Sequence, residues 1–193
     1  MAVARRMGPK GSEIWVSMVE AAEAILCDEG YGALTSRSVA DRIGVKQRLV
    51  YYYFRTMDEL IVETFRRLAV REIERLEAAL ASDRPLREVW AVYVDTTDTR
   101  LVSEFMALAN RIEDLRIEVK AFIEQSRQLQ IAAFEKAARS RGGAPALPPI
   151  AAAIFGTSAA LALHREAGLG IEAGHGEVRA AIDAFVAAYD PEE

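Results

Sequence analysis

Cysteine occurs once in the 193 residues, at Cys27, so no disulfide can close within the chain and a reducing compartment is consistent. Histidine occurs twice, at His164 and His175. Neither has a cysteine or clustered carboxylates at ligand spacing, so no metal site is expected. The longest apolar stretch, Ile150 to Leu163, is too short for a membrane span and is bounded by Pro149 and His164. Arg5 and Arg6 are not followed by an apolar run, so no secretory signal is read, and a soluble, cytoplasmic protein is expected. Strand-type alternation and internal repeats are missing. So are a nucleophile–base pattern, a P-loop and a dinucleotide fingerprint. Gly168, Gly170, Gly174 and Gly176 do not follow a strand, which removes a phosphate-loop reading. No catalytic residue and no cofactor is expected.

What is present is material for a core: 51% hydrophobic residues and 8% aromatics, far from a disordered composition. The length suits one compact unit or two small ones sharing a core. The net charge of −5 hides an asymmetry. Residues 1–56 hold eight Lys/Arg against six Asp/Glu, and between Thr35 and Thr56 the ratio is five to one. A basic face on an acidic body fits a phosphate-binding head with a partner-binding rear.

The basic face falls on Leu34–Leu60. Thr35 and Ser36 are helix-capping types, and Val39, Ala40 and Ile43 mark one face of a two-turn helix. Gly44 ends it, glycine being able to take the left-handed conformation there. A second short helix is expected from Val45, with Lys46, Gln47 and Arg48 at its front and Val50, Tyr51 and Phe54 behind. Two short helices joined by a glycine turn form a helix-turn-helix, whose second helix enters a DNA major groove.

Ahead of it, Met1–Gly11 reads as a basic arm, either simply disordered or able to reach a groove. Ser12 caps a first helix with a buried stripe at Ile14, Met18, Ala21 and Ile25, which Gly30 stops. Behind it, the spacing predicts helices over about Met57–Ala81, Pro85–Thr99, Leu101–Ala109, Glu113–Arg141, Ile150–Ala167 and Glu177–Tyr189. Gly142, Gly143, Pro145, Pro148 and Pro149 form the clearest loop. The fold class is all-α, with about nine helices.

Gly30-Tyr31, Leu34-Thr35, Val39-Ala40, Ile43-Gly44-Val45, Tyr51, Phe54 and Asp58-Glu59-Leu60 together resemble the DNA-binding domain of tetracycline-repressor-type (TetR family) regulators. The likeness runs from about Glu13 to Phe65. It implies a three-helix DNA-binding domain over 1–56, with its helix-turn-helix at about 36–53, and a ligand-binding and dimerisation domain over 57–193. Arg37 and Gln47 match positions that often read bases in that family, and their chemistry suits guanine and adenine edges. Thr35, Ser36, Tyr51 and Tyr53 match positions that usually donate to phosphates. Lys46, Arg48, Leu49 and Tyr52 fall on groove-facing positions. The chain departs from the family in Lys46 and Arg48, where a small hydroxyl residue and a glycine are common. It also departs in Met57, where many members have a phosphate-binding lysine.

The resemblance further implies a ligand pocket, for which Trp90, Tyr93, Phe105, Met106, Phe122, Phe134 and Phe155 are the candidates; plain core is the commoner role of such residues. Asp95, Asn110, Arg111, Gln125 and Gln128 are candidates for orienting a polar group, with solvated surface as the ordinary alternative. His164 fits the end of its helix, where partial positive charge is favourable. The helix over 150–167 is apolar nearly all round and so needs cover on most sides. With the last helix it is expected to form a four-helix homodimer interface, represented by Ile154, Ser158, Leu161, Val178, Ile182 and Phe185. The implied function is a homodimeric repressor of a palindromic double-stranded DNA operator, its recognition helices roughly 34–36 Å apart. A small, largely hydrophobic effector would release it by shifting the helix over 57–81. The alternative is an all-α small-molecule-binding or interaction protein of this fold that has lost specific DNA binding.

Overall fold

The computed structural model describes residues 9–94, 99–140 and 147–190, and every regular element among them is helical. The order is α1 (Glu13–Asp28), a 3-10 turn (Tyr31–Ala33), α2 (Ser36–Arg42), α3 (Gln47–Tyr53), α4 (Met57–Ala81), α5 (Pro85–Val94), α6 (Thr99–Ala109), α7 (Glu113–Ser140), α8 (Pro149–Ala167) and α9 (His175–Tyr189). The arm over 1–8, Asp95, and the loop residues Gly142, Gly143 and Pro145 lie outside the described residues. Two compact units emerge, one from 1–69 and 100–120, the other from 70–99 and 121–193. Helices α4 and α7 each contribute to both.

In the first unit, the Ser12 hydroxyl accepts from the amide of Trp15 and opens α1. Met18, Ala21, Ala22, Ile25 and Leu26 form its buried stripe. Ile14 does not belong to that stripe and is 40% exposed. Trp15 turns inward in its place, its ring 5.9 Å from that of the buried Phe54. Gly30, at φ +82°, provides the left-handed step that stops the helix and sends the chain into the 3-10 turn. Leu60, Ile61 and Phe65 of α4, Phe105 of α6 and Leu115 of α7 are all buried in this unit. The Phe65 and Phe105 rings meet edge to face at 5.2 Å.

The second unit is closed by polar contacts between elements distant in sequence. The carboxylate of Asp190, just past α9, accepts from the amides of Leu86 (2.6 Å) and Arg87 (3.1 Å) in the first turn of α5. That turn begins with Pro85, which has no N–H to satisfy. A residue 104 positions away thus serves as its cap. The Lys136 ammonium of α7 donates to the carbonyls of Leu80 (2.9 Å) and Ser82 (2.7 Å), which end α4. Beneath these contacts Leu76, Leu86, Val89, Phe134 and Val186 make one apolar cluster. The rings of Phe134, Phe185 and Tyr189 pack with centroids 5.0–5.9 Å apart.

Candidate nucleic-acid interface and ligand cavity

The turn between α2 and α3 is built from local chemistry. The Thr35 hydroxyl accepts from the Ser38 amide at 3.0 Å while the Ser38 hydroxyl accepts from the Thr35 amide at 2.9 Å, a reciprocal cap at the start of α2. Gly44 sits at φ +70°, and the Val45 amide returns to the Ala40 carbonyl at 2.9 Å, closing the end of α2. Helix α3 begins at Gln47, two residues later than the sequence suggests. Lys46 is extended and, having no short hydroxyl or carboxylate, makes no side-chain cap.

Arg37, Lys46, Gln47, Arg48 and Tyr52 are exposed, Leu49 and Tyr51 are half-buried, and Thr35 stands open at the start of α2. Arg37 lies 3.7 Å from Asp41 one turn on, both strongly exposed, a pairing that water screens and a phosphate can displace. Arg42 is otherwise engaged. It bridges Asp28 (2.8 Å) and Glu29 (3.2 Å) at the end of α1, so it braces the unit. Ser36 and Tyr53 depart from the simple picture of outward-facing phosphate donors, because both are buried. Tyr53 packs edge-on against Tyr52, ring centroids 5.2 Å apart. Ser36 donates to the Tyr51 hydroxyl at 3.0 Å and accepts from the Gln47 amide at 2.8 Å. At the front of α4, Thr56 accepts from the Glu59 amide at 3.1 Å and the Glu59 carboxylate accepts from the Arg55 amide at 2.7 Å. Helix capping holds that corner, with the half-buried Met57 inside it.

In the second unit, α5, α7, α8 and α9 line a half-open cavity of about 340 Å³. Four of the sequence candidates, Trp90, Tyr93, Phe134 and Phe155, line it together, and so do Val178, Ile182 and Phe185, expected at a dimer interface. Phe105, Met106 and Phe122 do not line it. Phe105 is instead spent on the Phe65 contact in the core of the first unit, and Met106 lies on the same helix there. Asn110, Arg111, Gln125 and Gln128 are exposed and also stand outside the lining. Among the described residues, the polar side chains that line the cavity are Tyr93, Gln130 and Thr157, beside the indole of Trp90. Gln130 and Thr157 escape a reading based on aromatic residues. The available signal for Gln130 is its place one helical turn before the core residue Phe134. Burial pushes the Tyr93 phenol up to about 12, so it stays neutral. Nε2 of His164 lies 2.9 Å from the Tyr93 carbonyl, which can only accept, so that nitrogen carries the proton and ties α8 to the end of α5. Ile154, Ser158 and Leu161 lie on the exposed side of α8.

Among the described residues no group of three or more His, Cys, Asp or Glu could hold a metal ion. No described helix is long and apolar enough to cross a membrane.

Residues 18–64, which hold α2, α3 and the start of α4, match the profile of the bacterial regulatory proteins of the tetR family. This helix-turn-helix belongs to the tetR family. No curated protein matches the chain in sequence. Solved structures show that the tetR-type head comes with a familiar fold. A putative transcriptional regulator from Saccharomonospora viridis, in complex with choline, superposes with a TM-score of 0.78 at 14% identity over 89% of this chain and 94% of its own. A TetR transcription regulator from Haloarcula marismortui gives 0.74 at 17% identity over 92% and 98%. SmeT, the repressor of the multidrug efflux pump SmeDEF of Stenotrophomonas maltophilia, gives 0.64 at 21% identity over 90% and 89%. The chain thus has the fold of TetR-family transcriptional regulators.

Proposed function

We propose that the protein is a ligand-responsive repressor that binds a palindromic operator as a homodimer and is released by a small, largely hydrophobic effector. The observation that carries this reading is the exposed front of a tetR-type helix-turn-helix, with Arg37, Lys46, Gln47 and Arg48 together on it. Arg37 and Gln47 read bases, while Thr35, Tyr51 and the neighbouring cations hold the backbone. Residues 1–56 serve DNA and residues 57–193 serve ligand and dimer, in the cytoplasm. The exposed apolar side of α8, with α9, meets a second copy and sets the two recognition helices about one DNA turn apart. The fold's capacity for small molecules is supported by the choline complex of the S. viridis regulator and by the complex of SmeT with triclosan. Release works as a population shift, the effector preferring a conformation in which α4 has moved and the head spacing is spoiled.

Selection of genomic DNA fragments with the purified protein, repeated across salt concentrations, tests this. The expected result is an enriched inverted repeat whose affinity falls steeply with salt. The double variant Arg37→Ala with Gln47→Ala should lose that enrichment. Salt-independent binding, or none at low salt, would point to a binding protein of the same fold that does not act on DNA.

A further inference from the structure

The cavity of the second unit combines apolar walls with one polar corner and no charge. Leu86, Val89, Trp90, Phe134, Ile182 and Phe185 supply much of the wall, and among the described residues no Asp, Glu, Lys, Arg or His lines it. Its volume of about 340 Å³ sits at the small end of ligand pockets, which run from roughly 300 to 1,000 Å³. The corner is a closed set of three side chains. The Gln130 amide donates to the Tyr93 hydroxyl, and the one proton of the Thr157 hydroxyl is shared between the Gln130 carbonyl oxygen at 3.1 Å and the Ala153 carbonyl at 2.9 Å. Thr157 also opposes the rise in the Tyr93 pKa that burial causes. Gln130 is buried, so its orientation is fixed by these partners.

The donor and acceptor inventory of this set decides what it can take. After these bonds, one N–H of Gln130, the O–H of Tyr93 and lone pairs on the oxygens of all three side chains remain for a guest. Donors beside acceptors match a hydroxyl, which both gives and takes, or a carbonyl, which accepts from either donor. A cation or an anion would lose part of its hydration against the walls and touch no charged side chain among the described lining residues, a cost that neutral hydrogen bonds do not offset.

We propose that this cavity selects an uncharged, mainly apolar molecule bearing one hydroxyl or carbonyl group, oriented by Gln130 with Tyr93 and Thr157. The proposal rests on the reading of the protein as ligand-responsive and specifies the chemistry of that ligand.

The test uses the whole 193-residue chain with Trp15→Phe, which leaves Trp90, on the cavity wall, as the single tryptophan reporter. The probes are decanol, decanoate and decyltrimethylammonium, each below its solubility or micelle limit. Decanol should shift the Trp90 emission saturably and bind about tenfold or more tighter than either ion, a difference of about 1.4 kcal/mol. Gln130→Leu and Thr157→Val should each weaken decanol by about two- to tenfold, the range of a single hydrogen bond. The second substitution, on a half-buried site, covers the case in which Gln130→Leu fails to fold. Equal or tighter binding of either ion overturns the selection for neutral ligands, while ligand binding itself stands. Decanol binding that neither variant changes overturns the orienting role of the trio. No response to any probe overturns the cavity as the ligand site. Salt-dependent DNA binding by the same preparation then reports separately on the regulator reading.

Discussion

The side-chain amide of Gln47, the first residue of α3, donates across 2.8 Å to the hydroxyl of Ser36, the first residue of α2. That hydroxyl donates in turn to Tyr51, 3.0 Å away and one turn along α3. The front of the helix-turn-helix is therefore cross-braced by the residues assigned to DNA. Gln47 is held in one orientation before DNA arrives, so less of its rotamer freedom is lost on binding.

Replacing Ser36 with alanine removes this brace without touching Gln47. DNA affinity should fall by less than about tenfold, in keeping with one net hydrogen bond. Discrimination at the base pair read by Gln47 should relax further than affinity at the other pairs. Binding to the operator and to its single-base variants measures both. Unchanged discrimination would mean that Gln47 reads from a conformation that Ser36 does not set.

Two glycines in the first unit should respond oppositely to alanine. Gly44 lies at φ +70° with open space around its would-be Cβ, so Gly44→Ala carries a backbone penalty alone, about 1 kcal/mol. Gly32 has the same open space but no positive φ, so Gly32→Ala should be neutral or slightly stabilising. Thermal or denaturant unfolding of the two variants side by side checks the sign of each.

The helix-turn-helix and the order of helices among the described residues were legible because their determinants are local. Thr35 and Gly44 punctuate α2 through their own backbone neighbours, and the apolar periodicities of α4 and α7 need no tertiary knowledge. The start of α3 was less legible, since Lys46 gives no capping signal. The cavity was half legible. Trp90, Tyr93, Phe134 and Phe155 converge, but aromatic content cannot distinguish them from Phe105, whose ring serves the other unit's core. Gln130 and Thr157 meet across 27 positions, a pairing that no local pattern encodes.

Asp190 caps α5 from the far end of the unit and is itself buried, so its removal leaves the amides of Leu86 and Arg87 without that partner. Asp190→Ala should lower stability by about 1–2 kcal/mol, the usual cost of a lost cap. Asp190→Asn keeps an acceptor and should recover part of it. Urea unfolding followed through Trp90 fluorescence in the Trp15→Phe background gives both values. An Asp190→Ala variant as stable as the parent would show the cap to be replaceable by water.

Ile154 and Leu161, seven residues apart on α8, are 40% and 45% exposed, an unfavourable placement for such side chains unless another surface covers them. Ile154→Asp with Leu161→Asp should convert a dimer to monomers in sedimentation and abolish binding to a palindromic operator. Helix content should stay intact, because neither residue is part of the buried core of the single chain. A dimer that survives both charges would move the interface away from this face.

Tyr93 links the cavity to pH. Burial raises its phenol from the ordinary 10 to about 12, with Glu72 adding to the rise while Thr157 and Arg127 oppose it. In the folded chain the proton is therefore held through a window in which the unfolded chain has already released it. The unfolded state binds fewer protons there, so stability falls as pH rises from about 10 to about 12, by an amount on the order of 2–3 kcal/mol. Below pH 10 both states are protonated and the effect vanishes. Tyr93→Phe cannot ionise, so its stability relative to the parent should improve across that window and stay level below it. Denaturant unfolding of the pair at neutral pH and at several alkaline values isolates this contribution, since all other titrating groups are shared. A constant difference between the two proteins would place the phenol in contact with solvent, and would remove it from the neutral corner of the cavity.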